Sequence, residues 1–141
     1  MTEDYKISYD ENPADGNWGI IGRGVSAFND QQVGDENFER LCFVLKGPNE
    51  EVVGGLAGST FYEWLVIDLL WIKEELRGHG YGKRLMELAE KEAKERGAKN
   101  VLLDTLSFQA PDFYKKLGYR VFGELQDFPP GHQRLYFTKR L

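Results

Sequence analysis

Apolar positions along the chain change their period several times, and each change marks an expected element. From about Pro13 to Gln32 the spacing of Trp18, Ile21, Val25 and Phe28 is helical, which predicts one or two amphipathic helices. Asp15 is placed to cap the start, while Gly16, Gly19, Gly22 and Gly24 weaken the helix intrinsically. Before it, Tyr5 to Asp10 alternates weakly and reads as a first strand. Leu41 to Leu45 and Val52 to Ser59 are dense in strand formers, and Gly47-Pro48-Asn49-Glu50 between them reads as a turn, so an antiparallel hairpin is expected. After a break near Phe61 to Glu63, Trp64 to Lys73 is apolar on both faces apart from Asp68, the pattern of a strand at the centre of a covered sheet.

The period then turns helical again. Gly80 to Arg96 puts Tyr81, Leu85, Leu88, Ala89 and Ala93 on one face, with Glu87/Lys91, Glu90/Lys94 and Glu92/Arg96 paired outside and Gly97 ending the helix. Val101-Leu102-Leu103 reads as a short buried strand ending in Asp104-Thr105, followed by a second helix from about Ala110 to Lys116 that stops at Gly118. Strand, helix, strand in this order implies a right-handed parallel crossover. Tyr119 to Glu124 and Arg134 to Lys139 read as a closing antiparallel pair around the loop Asp127 to His132.

Composition bounds the answer. A chain of 141 residues, 41% hydrophobic and 29% charged, fits one domain spanning 1–141 with a single core that buries roughly 70% of the surface exposed on unfolding. No apolar run approaches the roughly 20 residues of a membrane helix. The start, Met1-Thr2-Glu3-Asp4-Tyr5-Lys6, lacks the basic-then-apolar order of a secretory signal, and one cysteine offers no internal disulfide, so a cytoplasmic setting is the simplest expectation. The net charge of -5 is uneven: residues 1 to 70 hold 13 acids against 4 bases, residues 71 to 141 hold 10 against 14. The basic half suits an anionic ligand. The acidic half suits a cationic one, or is simply solvated surface.

The positive charge gathers at Arg77-Gly78-His79-Gly80-Tyr81-Gly82-Lys83, where a strand passes into a helix. Alternate glycines let several backbone N–H groups face one point. A helix start ordinarily favours Asp or Glu, yet this first turn carries Lys83 and Arg84 and meets no acid until Glu87, so a bound anion is expected to supply the missing charge. The nucleotide-triphosphate loop fails here, since its first glycine would fall on Arg77 and its hydroxyl residue on Arg84. A dinucleotide fingerprint from Gly78 would meet Lys83 at its third glycine, although Asp104 ends a strand at a suitable distance for a ribose.

A third pattern, Arg/Gln-x-x-Gly-x-Gly/Ala, matches Arg77, Gly80 and Gly82, and the stretch from Trp71 to Met86 resembles the donor-binding strand, loop and helix of the GNAT superfamily of acyl-CoA N-acyltransferases. Ser107 through Tyr119 is similar to that family's later segment at Ala110, Tyr114, Lys116, Gly118 and Tyr119. It departs at Ser107, where the family has an Asn that contacts the cofactor arm, and at Phe113, where it has Leu. The resemblance covers residues 64 to 119. It implies an α/β (α+β) fold with a mixed, mostly antiparallel central sheet, a splayed parallel pair and flanking helices. It also implies acetyl-CoA as cosubstrate, held by Leu70, Trp71, Ile72, the loop Arg77, Gly78, His79, Gly80, Tyr81, Gly82 and Lys83, and by Ser107, Phe113 and Lys116.

Acetyl transfer to an amine needs a neutral nucleophile, donors for the developing oxyanion and a proton for the departing thiolate. The resemblance gives Tyr114 as the acid; a phenol near ~10 lies only about 1.5 units above a thiol near ~8.5. The alternative is a core tyrosine. Asp68 interrupts an apolar strand and is the candidate base or cation-binding group, against a structural salt bridge or an exposed position; burial would raise its pKa. Glu63 and Asp104 are weaker candidates. The backbone amides of Leu70 to Ile72 are expected to meet the oxyanion. Cys42, among Leu41, Phe43 and Val44, reads as a buried apolar thiol, so direct transfer is preferred to an acyl-enzyme. His79 and His132 have no partner at metal-ligand spacing, and no metal is expected. Trp18, Phe28, Phe61, Tyr62, Trp64 and Phe128 are core or acceptor-pocket aromatics, with Trp64 and Tyr62 favoured for the pocket.

The expected function is therefore acetyl transfer from acetyl-CoA to a primary amine of a small molecule, cationic in one reading, or of a peptide. The rival is a degenerate domain that binds acyl-CoA as a sensor or interaction module. The negative total charge argues against nucleic acid, and a membrane partner is not expected. Homodimerisation through the C-terminal strands or the Phe128 loop stays open.

Overall fold

The structure, a computed structural model, describes residues 4–141; Met1-Thr2-Glu3 of the acidic start lie outside the described residues. The chain divides into two compact units, Met1–Glu36 and Asn37–Leu141. In the first, a single helix, α1 (Asn17–Val33), fills the predicted helical stretch. Asp15 does not cap it: the N-cap is Gly16, and no side chain bonds to the helix start. Asp10 does the local work instead, accepting from the Asn12 amide at 2.9 Å and from Asn17 Nδ2 at 3.0 Å. Tyr5 to Asp10 is not a strand. Alternation alone cannot create a ladder without a partner edge. None of the helix residues is buried, and Trp18 is 76% exposed.

The second unit contains β1 (Glu39–Lys46), β2 (Val52–Phe61), β3 (Trp64–Ile72), α2 (Tyr81–Glu95), β4 (Asn100–Leu106), α3 (Pro111–Lys116), β5 (Arg120–Gln126) and β6 (Gln133–Arg140). They form a six-stranded sheet in the order β1-β2-β3-β4-β6-β5. Every neighbouring pair is antiparallel except β3 and β4, which α2 connects.

The core lies between α2 and one face of the sheet. Leu85, Met86, Ala89 and Ala93 meet Leu41, Leu56, Leu65, Ile67, Val101, Leu103 and Phe137. Each large apolar side chain sealed here contributes roughly 1.5–3 kcal/mol. Two expectations on α2 shift together. Met86 joins the buried stripe, and the stripe turns with it: Glu90, four residues on, points inward, while Leu88 is exposed. Glu90 was expected to pair outside with Lys94. It instead accepts from Tyr119 Oη at 2.6 Å and from Lys139 Nζ at 3.0 Å.

The opposite face explains two further departures. Leu41, Phe43 and Leu45 turn toward the core side, so the alternate residue Cys42 is exposed rather than buried. Strand β3 is central only in its first half, with Leu65 and Ile67 buried; beyond it Asp68, Leu69 and Trp71 are exposed.

Candidate functional site

The site begins where the parallel seam stops. Trp64–Ile67 pair with Asn100–Leu103, and past the pair Ile67↔Leu103 strand β3 has no partner on that side among the described residues. On its other side β3 keeps its bonds to β2, but the register jumps: Gly58 faces Ile67 and Ala57 faces Leu69. Asp68 is the extra residue of a β-bulge at the mouth of the splay.

Hydrogen-bond parity then assigns the amides. Lys73 N donates to Val53 O at 2.9 Å. Because antiparallel residues alternate between bonding the neighbour and facing away, Trp71 also bonds β2, while Leu70 and Ile72 face the unpartnered edge. The Ile72 carbonyl agrees, accepting from Arg77 Nε at 3.0 Å. Of the three amides expected on this edge, two are on it. Trp71 contributes an exposed side chain instead.

Arg77 also ties the strand end to the glycine loop. Gly78 (φ 81°) and Gly80 (φ 84°) both adopt left-handed backbone that L side chains rarely take, and a Cβ at either would touch nothing within 4 Å, so the side they present is open. Gly80 is the N-cap of α2, with no side-chain cap. The first intrahelical bond runs from Arg84 N to Gly80 O, which leaves the Tyr81, Gly82 and Lys83 amides as an unspent set of donors. No acid occupies this first turn. Gly82 has a different reason to be glycine: a Cβ there would lie 3.2 Å from the Phe113 ring, so it allows the start of α2 to pack on α3. Lys83 sits 3.9 Å from Glu87, and the His79 and Tyr81 rings lie 6.4 Å apart.

Tyr114 is buried on α3 against Phe113, Tyr119 and Phe137, at ring separations of 5.1, 6.1 and 5.7 Å. Its hydroxyl has no hydrogen-bond partner among the described residues. No sealed side-chain polar atom there lacks one, so that hydroxyl must reach solvent. Burial, with a smaller contribution from Asp104, pushes its pKa up to about 12. The gap to a thiol near ~8.5 is thus roughly 3.5 units, or about 5 kcal/mol, rather than the 1.5 units expected from sequence.

Asp68 is exposed, one of the positions left open for it by the sequence. Asp104 binds Arg134 (2.9 Å) and Glu63 binds Lys99 (3.2 Å), which leaves Asp68 as the candidate carboxylate without a bridge among the described residues. Ser107 is engaged structurally: its hydroxyl accepts from Gln133 N at 3.0 Å and its amide donates to Gln133 O at 2.8 Å. Lys116 is exposed at the end of α3.

Trp64 and Tyr62 do not belong here. They sit at the β2–β3 turn, at the far end of β3 from the splay, and Phe61 stacks between Phe38 and Tyr62 at 6.0 Å from each. Cys42 faces Ala57, which faces Leu69, so β2 separates it from β3 by about 10 Å. His132 packs edge-on to Phe108 at 5.0 Å. No metal-binding group of His, Cys, Asp and Glu occurs among the described residues, and no helix among them is long and apolar enough to cross a membrane.

Two residues escaped the sequence reading. Glu90 looked like one member of an exterior pair, and only the Met86 position hinted at the rotated stripe. Arg134, read as one residue of a closing strand, bonds Asp104 and lies 4.6 Å over the Phe128 ring. A contact between residues 30 apart leaves no local periodic signal.

A family model described as acetyltransferase (GNAT) family matches residues 7–119. The chain is 43% identical over 96 residues to blasticidin-S acetyltransferase of Streptomyces morookaense, covering 67% of this chain and 71% of that one. It is 31% identical over 114 residues to an acetyltransferase of Agrobacterium fabrum, covering 81% and 83%. A crystal structure of an acetyltransferase from Bacillus cereus superposes with a TM-score of 0.85 at 38% identity, covering 95% of this chain and 98% of that one. The mixed sheet with one parallel pair, the glycine loop and these likenesses agree: the chain belongs to the GNAT acetyltransferase family.

Proposed function

We propose that this protein transfers the acetyl group of acetyl-CoA directly to a primary amine in a ternary complex. The observation that carries this reading is the junction at Ile72: its amide lies on the unpartnered edge of the splay, and its carbonyl holds Arg77 of the glycine loop. One short segment thus presents donors for a carbonyl oxygen and, a few residues on, donors for a phosphate.

In this reading the amides of Tyr81, Gly82 and Lys83, with the positive end of α2, hold the pyrophosphate. The open side of Gly78 and Gly80 gives it room. Acetyl-CoA supplies the activated acyl carbon. The Leu70 and Ile72 amides stabilise the oxygen that gains negative charge, at no cost of reorganisation because the strand is already fixed to β2. Asp68, without a bridge among the described residues and at the mouth of the splay, takes a proton from the incoming ammonium. Tyr114 returns one to the departing sulfur. The unfavourable gap narrows because a thiol leaving in the same desolvated crevice also gains proton affinity. A small-molecule acceptor is favoured by the relative named for acetylating blasticidin S.

Thiol release from acetyl-CoA across polyamines, aminoglycosides, amino acids and peptide N-termini tests the proposal, with thermal shift by CoA and by NAD alongside. Turnover on at least one amine and stabilisation by CoA alone are expected. Stabilisation by CoA without turnover on any amine would make the chain an acyl-CoA-binding sensor instead.

A further inference from the structure

Arg134, the second residue of β6, stands opposite Leu106, yet its side chain reaches diagonally back along β4, where Nε donates to Asp104 Oδ1 at 2.9 Å. The guanidinium lies over the Phe128 ring at 4.6 Å and the Tyr136 ring at 5.5 Å. It is therefore fixed by a charge-assisted bond and by aromatic faces, with its rotamer entropy already lost. Its Nη donors have no hydrogen-bond partner among the described residues. No sealed polar side-chain atom there lacks a partner, so solvent reaches them, and the side chain is 29% exposed. Asp104, which anchors this group, is the first residue of β4 past the last parallel pair. The fold thus holds a two-donor planar edge rigid at the rim of the splay, and an ion pair alone does not require that edge.

Such an edge matches a carboxylate bidentately. Asp104 occupies the Nε side, so an incoming carboxylate is confined to the Nη side, and the carboxylates of Asp104 and Asp68 favour a cation beside it. We infer that Arg134 is a specificity-determining residue that binds a carboxylate of the acceptor, making the acceptors amines of the aminocarboxylate class. This rests on the proposed N-acetyltransferase reading for its catalytic meaning, although the binding event itself does not.

The test uses a probe that needs no turnover. With CoA present, N-acetylglycine and N-acetylglycinamide are titrated while the Nε–Hε resonance of Arg134 is followed by NMR and assigned by its loss in Arg134→Gln. The acid is expected to shift it saturably and the amide to leave it in place; a response to both alike, or to neither, overturns the inference. On aminocarboxylates that the wild type acetylates, Arg134→Gln should raise the acceptor KM by ~10-fold or more with kcat nearly unchanged, and Arg134→Lys should recover part of the loss. The matching carboxamides should lose far less. Equal losses on acids and amides would reduce Arg134 to a structural role. If no amine at all is acetylated, the catalytic proposal fails while the NMR result still decides this one.

Discussion

Asp68 and Asp104 are the first residues on their strands beyond the last parallel pair, Ile67↔Leu103, so the two carboxylates flank the mouth of the splay. Their surroundings separate them. Asp104 is bound by Arg134 at 2.9 Å, whereas Asp68 is an exposed bulge residue with no bridge among the described residues. An unbridged carboxylate can receive a proton without first breaking a salt bridge, which is the ground for proposing Asp68 rather than Asp104 as the base.

Replacing Asp68 by Asn should therefore lower kcat/KM for the acceptor by ~10²-fold or more. An exposed bulge side chain contributes little to the core, so the thermal shift produced by CoA should stay at the wild-type value. Steady-state thiol release and the melting curve read the two quantities. Activity within about twofold of wild type would remove Asp68 from the mechanism.

Tyr114 should make stability depend on alkaline pH. Its folded pKa, pushed up to about 12 chiefly by burial, exceeds the ordinary 10.0. The unfolded chain then binds fewer protons between those values, so the Tyr114 contribution is complete below pH ~10 and is lost as pH rises toward ~12, about 2–3 kcal/mol in all. Burial beside Glu90 raises Tyr119 as well, so the measurable quantity is a difference. Tyr114→Phe should flatten the denaturant-unfolding profile across that window and lower kcat by ~10²- to 10⁴-fold.

The loop glycines should separate by mechanism. Gly80→Ala forces a side chain into left-handed backbone at φ 84°, which should cost about 1–2 kcal/mol and weaken CoA binding. Gly82→Ala is helical, so a propensity gain of up to ~1 kcal/mol opposes the tight 3.2 Å approach to Phe113. Its net stability change should be small, with α3 displaced. Urea unfolding distinguishes them, and equal losses would contradict the assignment.

Glu90 joins Tyr119 and Lys139 under the sheet, with only 16% of its side chain exposed. Glu90→Ala strands an ammonium and a phenol in a mostly dry site and should cost roughly 2–4 kcal/mol. An exterior ion pair of Glu90 with Lys94 would have made it worth well under 1 kcal/mol. Chemical denaturation reads the difference directly.

The sequence made most elements legible because their periods are strong: α2 and the strands flanking it differ from expectation by a residue or two. The glycine loop was legible because charge and backbone requirements coincide there. What could not be read depends on partners distant in sequence. Cys42 is exposed because its strand turns Leu41 and Phe43 toward the core, Glu90 is inward where Tyr119 and Lys139 meet it, and Asp104 is bridged because Arg134 reaches from β6 to β4. Tyr5 to Asp10 failed for the same reason, since a strand requires an edge to join.

The central claim is that acetyl passes from the thioester to an amine nitrogen without resting on the protein. Isotopically labelled acetyl-CoA, mixed with an accepted amine and followed by mass spectrometry alongside a free-thiol count, tests it most directly. One thiol released per N-acetylated amine, with Cys42 unlabelled throughout, is the expected result. Thiol release no faster than without amine, or label accumulating on Cys42 before product appears, would contradict it.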